Sequence, residues 1–436
     1  MRRPSLLTTM VLCMVIYASS TGLAVEKFVV DGIDVIVKYN PANEIIAAHF
    51  YLKGGIPYYG TEQAGIEAVL YRSALEGTKN FPKDKLRSEL SRMGTAIGSN
   101  AGHDYTSVTM QCLKRHLEES WDIFADIIAR PLCEGPDVDL VKERQQNDVR
   151  QNHADPDGYA RLLSDALYYR GHPYAVAPTG TEETIARLNS GLLLDYLAQQ
   201  VTKSRILVVF VGDVDRATAT RLVHEGLGSL PEGTYQAPTL PVPGGATGVE
   251  NKIEARELPT NYVRGYFPAP SPDGIEDALP MFVGLDILRD RLFEEVRTKR
   301  NLTYAVSSSM ANRRNNYGVL YVSSVDATQA VNVILDQVAK MQNEPVPQKD
   351  LHDKIKVLTT ETLMGEQTNG NQASTLAMQE IVGRGFEMAE RRIELIQKVT
   401  AAEIQRVMKK YANGVNFTVL GDTAEAQKML DAVAAR

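Results

Sequence analysis

The sequence contains little cysteine, with three residues in 436. Cys13 lies in an apolar run near the N-terminus and lacks the small preceding residues that a lipidation site requires. Cys112 and Cys133 have no matching histidines, so they do not form a zinc site. In an exported protein such an even pair forms either a disulfide or two buried free thiols, and the sequence leaves both open.

The chain also lacks an excess of basic residues. Its formal net charge of -7 argues against nucleic acid or an anionic membrane as the main partner. No segment after residue 24 is long and apolar enough to cross a bilayer. The sequence has no glycine-rich motif that would bind phosphate, and the serines at 307–309 are not in the sequence context of a catalytic triad. It therefore supports neither a phosphate-binding loop nor a serine-hydrolase site.

The first 24 residues have the pattern of a targeting segment. Arg2 and Arg3 precede an apolar run over residues 6–18, and small residues follow at Gly22 and Ala24. This pattern is typical of a secretory signal peptide, which we assign to residues 1–24 and exclude from the fold. The apolar run is short for a membrane span, and an uncleaved N-terminal anchor is the alternative.

The remaining chain repeats one order of elements. In each half, strands come first, a helix with two further strands follows, and a helical block leads to a closing strand, at 205–213 and at 415–422. Residues 231–250 are rich in Pro, Gly and Thr and are typical of a linker. We therefore predict an α+β protein with two homologous domains, residues 25–230 and 251–436, each a sheet covered by helices.

The histidines are scattered, and no two of them have the spacing of metal ligands. They are His49, His103, His116, His153, His172, His224 and His352. We expect each of them to be a surface or structural residue.

The stretch GIEAVLYRSALEGT, residues 65–78, predicts a helix with an apolar face. It resembles the first conserved helix of the pitrilysin/insulinase superfamily of zinc peptidases, G-x-x-H-x-x-E-H-x-x-x-x-G-T, and it aligns without gaps. The resemblance places the two zinc-binding histidines at Ala68 and Arg72 and the catalytic glutamate at Tyr71. Ala68 has no ligand atom, Arg72 is a permanent cation, and Tyr71 is no base at neutral pH.

The third zinc ligand of the superfamily is a glutamate on a later helix, which resembles residues 140–157 here. The matching positions are Asp148, Val149 and Arg150, and none of them is glutamate. Glu143 is close, but its Lys-Glu-Arg context matches a position that does not bind metal in the family. The resemblance therefore predicts no metal site in this chain.

The second half contains DRLFEEVRTKRNLTYAVSSS, residues 290–309. It resembles the helix and strand of the family that carry an arginine and a tyrosine, here Arg297 and Tyr304. We expect the helix to end near Asn301 and Tyr304 to begin the next strand, so that the two side chains converge. Together they could donate hydrogen bonds to a peptide carbonyl or its oxyanion, whereas the alternative is a salt-bridged arginine and a core tyrosine.

The resemblance extends to the Gly-His-Pro-Tyr loop and helix start at 171–185, where we expect Thr181 to cap a helix. It implies mainly antiparallel sheets and a chamber between two facing chains. It also implies that this chain is the non-catalytic subunit of a periplasmic heterodimer. The partner would be a zinc-bearing homologue, the substrate an unfolded peptide, and this chain would supply Arg297 and Tyr304 for substrate binding. The alternatives are a peptide-binding or scaffold protein that does not hydrolyse peptides, and a peptidase with an unrecognised metal site.

Overall fold

The computed structural model describes residues 25–436. The signal peptide predicted for residues 1–24 lies outside the described residues. The protein consists of two halves, each with one sheet and a layer of helices, which confirms the predicted α+β class.

The first half contains a six-stranded sheet, called sheet one, with the order β1-β2-β6-β3-β5-β4. Its strands are β1 (Val25–Val30), β2 (Ile33–Tyr39), β3 (Ile45–Lys53), β4 (Ala96–Ala101), β5 (Tyr105–Leu113) and β6 (Ile206–Gly212). Only the β2–β6 pair of this sheet is parallel. Asp31 and Gly32 both have positive φ, 49° and 87°, so β1 and β2 form a hairpin that closes through a tight two-residue turn.

The helices of the first half pack mainly on one face of sheet one, where they bury a large apolar core. They are α1 (Ile56–Tyr59), α2 (Ile66–Ala74), α3 (Lys83–Met93), α4 (Leu117–Ala129), α5 (Gly135–Ala154), α6 (Pro156–Tyr168), α7 (Glu182–Arg187), α8 (Ser190–Gln200) and α9 (Arg216–Leu227). The chain breaks at Leu188 and Asn189, and the Asn189 side chain caps α8 by accepting a hydrogen bond from the Leu192 N–H.

The second half contains a five-stranded sheet, called sheet two, with the order β7-β11-β8-β10-β9. A short turn of helix, α10 (Gly244–Thr247), precedes it. The strands are β7 (Lys252–Ala255), β8 (Asn261–Pro268), β9 (Ala305–Met310), β10 (Tyr317–Ser324) and β11 (Asn416–Gly421). The helices are α11 (Ile275–Leu292), α12 (Ala327–Asn343), α13 (Gln348–Gly365), α14 (Asn369–Ile381), α15 (Glu387–Gln397), α16 (Ala401–Tyr411) and α17 (Thr423–Ala434).

The two halves exchange one helix each. Helix α6 leaves the first half and packs against β8 and β11, where Tyr168 joins Tyr266 and Tyr317 in a buried aromatic cluster. Helix α14 leaves the second half and packs against β3 and β6, where it buries Ala373 and Leu376. The exchanged helices occupy matching places in the two halves, as duplication requires, and they hold the halves together.

Three further findings complete the description of the fold. Strands β4 and β9 are edge strands, each with one unpaired side. Cys112 and Cys133 are buried free thiols, so the disulfide alternative was wrong. Over residues 25–436, no helix is both long and apolar enough to cross a membrane.

Candidate functional site

Helix α2 starts from a glycine that contacts a neighbouring loop closely. Gly65 has φ of 95°, and a Cβ there would lie 3.0 Å from the carbonyl oxygen of Thr179. The Gly65 N–H also donates to the Pro178 carbonyl. Any larger residue would be strained, so Gly65 lets the helix begin directly against the 178–181 loop.

Two of the three positions that match the zinc motif are buried. Ala68 is buried in α2, and Tyr71 is fully buried with its ring edge against Phe50, the ring centroids being 5.7 Å apart. Burial, together with the nearby Glu67 carboxylate, raises the pKa of Tyr71 well above its ordinary value. A phenol in this environment keeps its proton, so Tyr71 cannot activate water as a base.

The third position, Arg72, forms an ion pair with one of the predicted candidates. Its Nη1 lies 2.8 Å from Oδ2 of Asp148 on α5. Of the other two candidates, Val149 packs against the apolar core and Arg150 pairs with Glu182. The geometry therefore selects Asp148 as the residue opposite α2, and a cation faces it where the motif would place a metal ligand.

These residues do not fit a zinc ion. One carboxylate, paired with a guanidinium and beside an alanine, offers neither enough ligands nor the required negative charge. Within residues 25–436, no group of three His, Cys, Asp or Glu side chains could hold a metal. Buried His49 and His172 have structural contacts, and burial lowers the pKa of each to about 4.

Sequence reasoning missed Glu67, which lies beside the degenerate motif. Its side chain is 0% exposed and accepts hydrogen bonds from Arg205 (3.0 Å), Tyr196 (2.6 Å) and Thr106 (2.5 Å). Arg205 is also 0% exposed and stacks on the Tyr58 ring. The sequence signal that could have identified Glu67 is the presence of an acidic residue on the apolar face of the helix. This network fixes α2 against the sheet.

A cavity of about 670 Å³ opens beside the ion pair, between α5, α6 and the 175–183 segment. Arg72 and Asp148 line this cavity, and Leu163 and Val176 form part of its apolar wall. On this segment Thr181 caps α7 in a capping box, as predicted. A second, small cleft joins Ala68 and Arg72 to residues 99–101 of edge strand β4.

Arg297 lies at an irregular helix end. After Leu292 the chain forms a π-helical turn over Phe293–Thr298, and Asn301 then takes a φ of 52°. The prediction that the helix ends near Asn301 was therefore correct in place but missed the π turn. π turns are rare and are frequent at functional sites.

The Arg297 side chain is exposed, and its guanidinium lies 4.8 Å from the centre of the Phe293 ring. Neighbouring Lys299 and Arg300 both pair with Glu295, but no carboxylate of the described chain pairs with Arg297. An unpaired cation beside two paired ones is available to a ligand.

Tyr304 is 89% exposed and lies in the bend before β9. The expectation that it begins the strand was wrong, because β9 starts at Ala305. Among the described residues, no hydrogen bond or cation–π contact joins Tyr304 to Arg297, and the Arg297 guanidinium lies over the Phe293 ring instead. Phe293, at 47% exposed, adds a second exposed aromatic ring nearby. The binding role of the pair stays a prediction.

Comparison with known protein families gives two matches, which follow one another along the chain. Residues 34–177 match the family Insulinase (Peptidase family M16), and residues 187–358 match Peptidase M16 inactive domain. The chain is 22% identical over 392 residues to the non-peptidase homologue YmxG of Helicobacter pylori, covering 86% of this chain and 88% of that protein.

Two further similarities concern a processing peptidase and a solved structure. The mitochondrial-processing peptidase subunit alpha of Solanum tuberosum is 22% identical over 389 residues, covering 85% of this chain and 76% of that one. A crystal structure of a peptidase M16 inactive domain from Pseudomonas fluorescens superposes with a TM-score of 0.83 at 19% identity, covering 92% of this chain and 98% of that one. At this level of identity, the structural similarity supports the assignment of the fold alone.

Proposed function

The chain belongs to the insulinase family of peptidases, family M16, and we propose that it is the non-catalytic, zinc-free subunit of a two-chain zinc peptidase. A homologous partner would carry the zinc site. This chain would help to enclose an unfolded peptide and would supply Arg297 and Tyr304 to the partner's active site.

The observation that carries the proposal is the Arg72–Asp148 ion pair. It lies where two metal ligands are expected from the motif, beside Ala68, which has no ligand atom. A chain with this arrangement has no activated water of its own. Its inactive peptidase fold is therefore better suited to assisting a catalytic chain than to hydrolysis.

Arg297 and Tyr304 provide the chemistry that such a subunit could contribute. The guanidinium offers five N–H donors and the phenol one O–H donor. Both side chains are exposed, and neither has a hydrogen bond or an ion pair to another described residue. Bound zinc in the partner would supply the activated water. Donors from this chain would hold the peptide carbonyl and stabilise the negative charge that develops on its oxygen.

Edge strand β4 supports a role in holding extended peptides. One side of the strand is unpaired, and residues 99–101 lie in the cleft beside Arg72. A peptide added along this edge would use main-chain hydrogen bonds and would need no particular sequence. Unfolded chains of varied sequence would suit such a surface.

The partner and the location rest on other observations. The similar protein from Solanum tuberosum is named as one subunit of a processing peptidase, which supports an assembly of more than one chain. The pattern at residues 1–24 supports export to the periplasm. After cleavage no membrane association is proposed.

The second candidate is a protein of the same fold that binds peptides or organises an assembly without hydrolysis. The relative named a non-peptidase homologue favours it. It would be preferred if no zinc-bearing homologue were encoded nearby, and if the purified chain bound peptides that no added chain then cleaved.

Co-expression with a zinc-bearing homologue tests the leading proposal. We expect the pair to hydrolyse an unfolded peptide that neither chain cleaves alone. The double variant Arg297→Ala/Tyr304→Phe should lower this activity at least tenfold, because it removes donors used in the transition state. Arg300→Ala is the matched control, since Arg300 is paired with Glu295. Full activity in the double variant would refute the proposed role.

A further inference from the structure

A separate cavity of about 490 Å³ lies between the N-terminal end of α6 and sheet two. Arg264, Tyr321 and Ser307 are direct neighbours across β8, β10 and β9, so they form one row on the same face of the sheet. This row leads from the middle of the sheet to its edge strand. Opposite it, the α6 wall contributes Arg161.

The two arginines of this cavity have no anionic partner. Arg264 contacts the rings of Tyr266 and Tyr321 at 5.7 and 5.4 Å, and its Nε is buried without an acceptor. Neither Arg264 nor Arg161 forms a salt bridge with a carboxylate anywhere in the described chain, although most arginines here do so. An unpartnered guanidinium N–H is costly when buried, so an acceptor from outside the chain would be stabilising.

The carboxylates that line the same cavity have other roles. Asp155 caps α6 by accepting the Gly158 N–H at 2.7 Å. Burial, and then the neighbouring Asp157 carboxylate, raise the pKa of Tyr321, so its phenol stays protonated beside Asp157. Both acids are thus matched with donors other than the arginines.

We propose that Arg161 and Arg264 form a binding site for a carboxylate of the peptide, either its C-terminus or an acidic side chain. Guanidinium groups bind carboxylates through paired, charge-assisted hydrogen bonds. Ala305, which lines the cavity, directly follows Tyr304 in the chain. The site therefore adjoins the residues proposed to reach the partner's active site, and it rests on the proposed function because it assumes a bound peptide.

The test uses three ten-residue peptides of Gly, Ala and Ser with a neutral coumarin at the N-terminus. One has a free C-terminal carboxylate, one is amidated, and one is amidated but contains a single glutamate. Fluorescence anisotropy gives the Kd of each peptide for the purified chain. We expect at least one carboxylate peptide to bind about tenfold more tightly than the amidated neutral peptide, and the stronger of the two identifies the carboxylate source.

Arg264→Gln and Arg161→Gln should each remove most of this preference. Arg221→Gln, at an exposed arginine of α9 paired with Glu118 and Glu225, is the matched control and should retain it. Arg161 is exposed, so its variant tests the proposal even if Arg264→Gln fails to fold.

Equal Kd values for the three peptides, absence of any binding, or a preference that survives in the Arg161→Gln/Arg264→Gln double variant would overturn the proposal. Hydrolysis of the amidated neutral peptide by the two-chain complex reports separately on Arg297 and Tyr304. If the native chain shows no carboxylate preference but the complex still depends on Arg297 and Tyr304 for hydrolysis, the carboxylate site is refuted and the proposed function is not.

Discussion

Replacing Glu67 should destabilise the first half strongly, although Glu67 lies in no catalytic position. Its carboxylate is the only acidic group within salt-bridge distance of the fully buried Arg205 in the described chain. In Glu67→Leu the guanidinium keeps its bonds to the carbonyls of Lys53 and Gln200 but loses its counter-charge. The hydroxyls of Tyr196 and Thr106 lose their acceptor as well.

The expected cost follows from these contacts. Removing one partner of a buried ion pair costs about 3–5 kcal/mol, because the other charge remains buried. For a domain of this size, the melting temperature of the first half should fall by roughly 6–20 °C. Arg205→Leu should cost a similar amount. The double variant should cost clearly less than the sum, since it leaves no buried charge.

Urea unfolding followed by circular dichroism, with calorimetry to separate the two halves, measures these changes. Glu62→Ala is the control, because Glu62 pairs with Arg187 on the surface at 3.4 Å with both side chains largely exposed. That variant should cost under about 1 kcal/mol. A Glu67→Leu cost below 1 kcal/mol, or strictly additive single variants, would refute the reasoning.

Three other predictions concern the ion pair, a buried histidine and the thiols. Arg72→Ala should lower the free energy of unfolding by less than about 1 kcal/mol, because its pair with Asp148 is 38% and 58% exposed; a larger loss in urea unfolding would contradict this. Because the pKa of His49 is lowered to about 4 in the folded state, folding stability should fall as pH drops from 6.5 to 4. The contribution is at most about 3 kcal/mol, and a His49→Gln variant with the same pH dependence as the native chain would refute it. Burial raises the pKa of Cys112 to about 11 and that of Cys133 to about 12, so neither thiol should react with a disulfide reagent at pH 8 until the chain unfolds; fast labelling of the folded chain would contradict this.

Much of the fold could be predicted because it is encoded locally. The Gly65 helix start and the Thr181 cap are short-range features, and each occurs as expected. The helix exchange could not be predicted. An apolar helical stripe in α6 or α14 indicates that one face is buried, but it does not tell which sheet covers it.

The positions of the degenerate zinc motif could be predicted from the sequence, but most contacts of the side chains at the site could not. The family resemblance of residues 65–78 assigned the motif positions to Ala68, Tyr71 and Arg72, but only the helix packing selected Asp148 over its neighbours. The π turn that contains Arg297 and the bend at Tyr304 depend on tertiary contacts around α11 and β9. Sequence periodicity assumes regular elements and therefore misses both.

The central claim is that this chain lends residues to a zinc site that it does not possess. The most direct test is metal analysis after equilibration with zinc and extensive dialysis, on the purified chain and on its complex with a zinc-bearing homologue. The account predicts no bound zinc and no peptide hydrolysis for the chain alone. It predicts one zinc ion per complex, together with hydrolysis. Stoichiometric zinc and hydrolysis in the chain alone would contradict it.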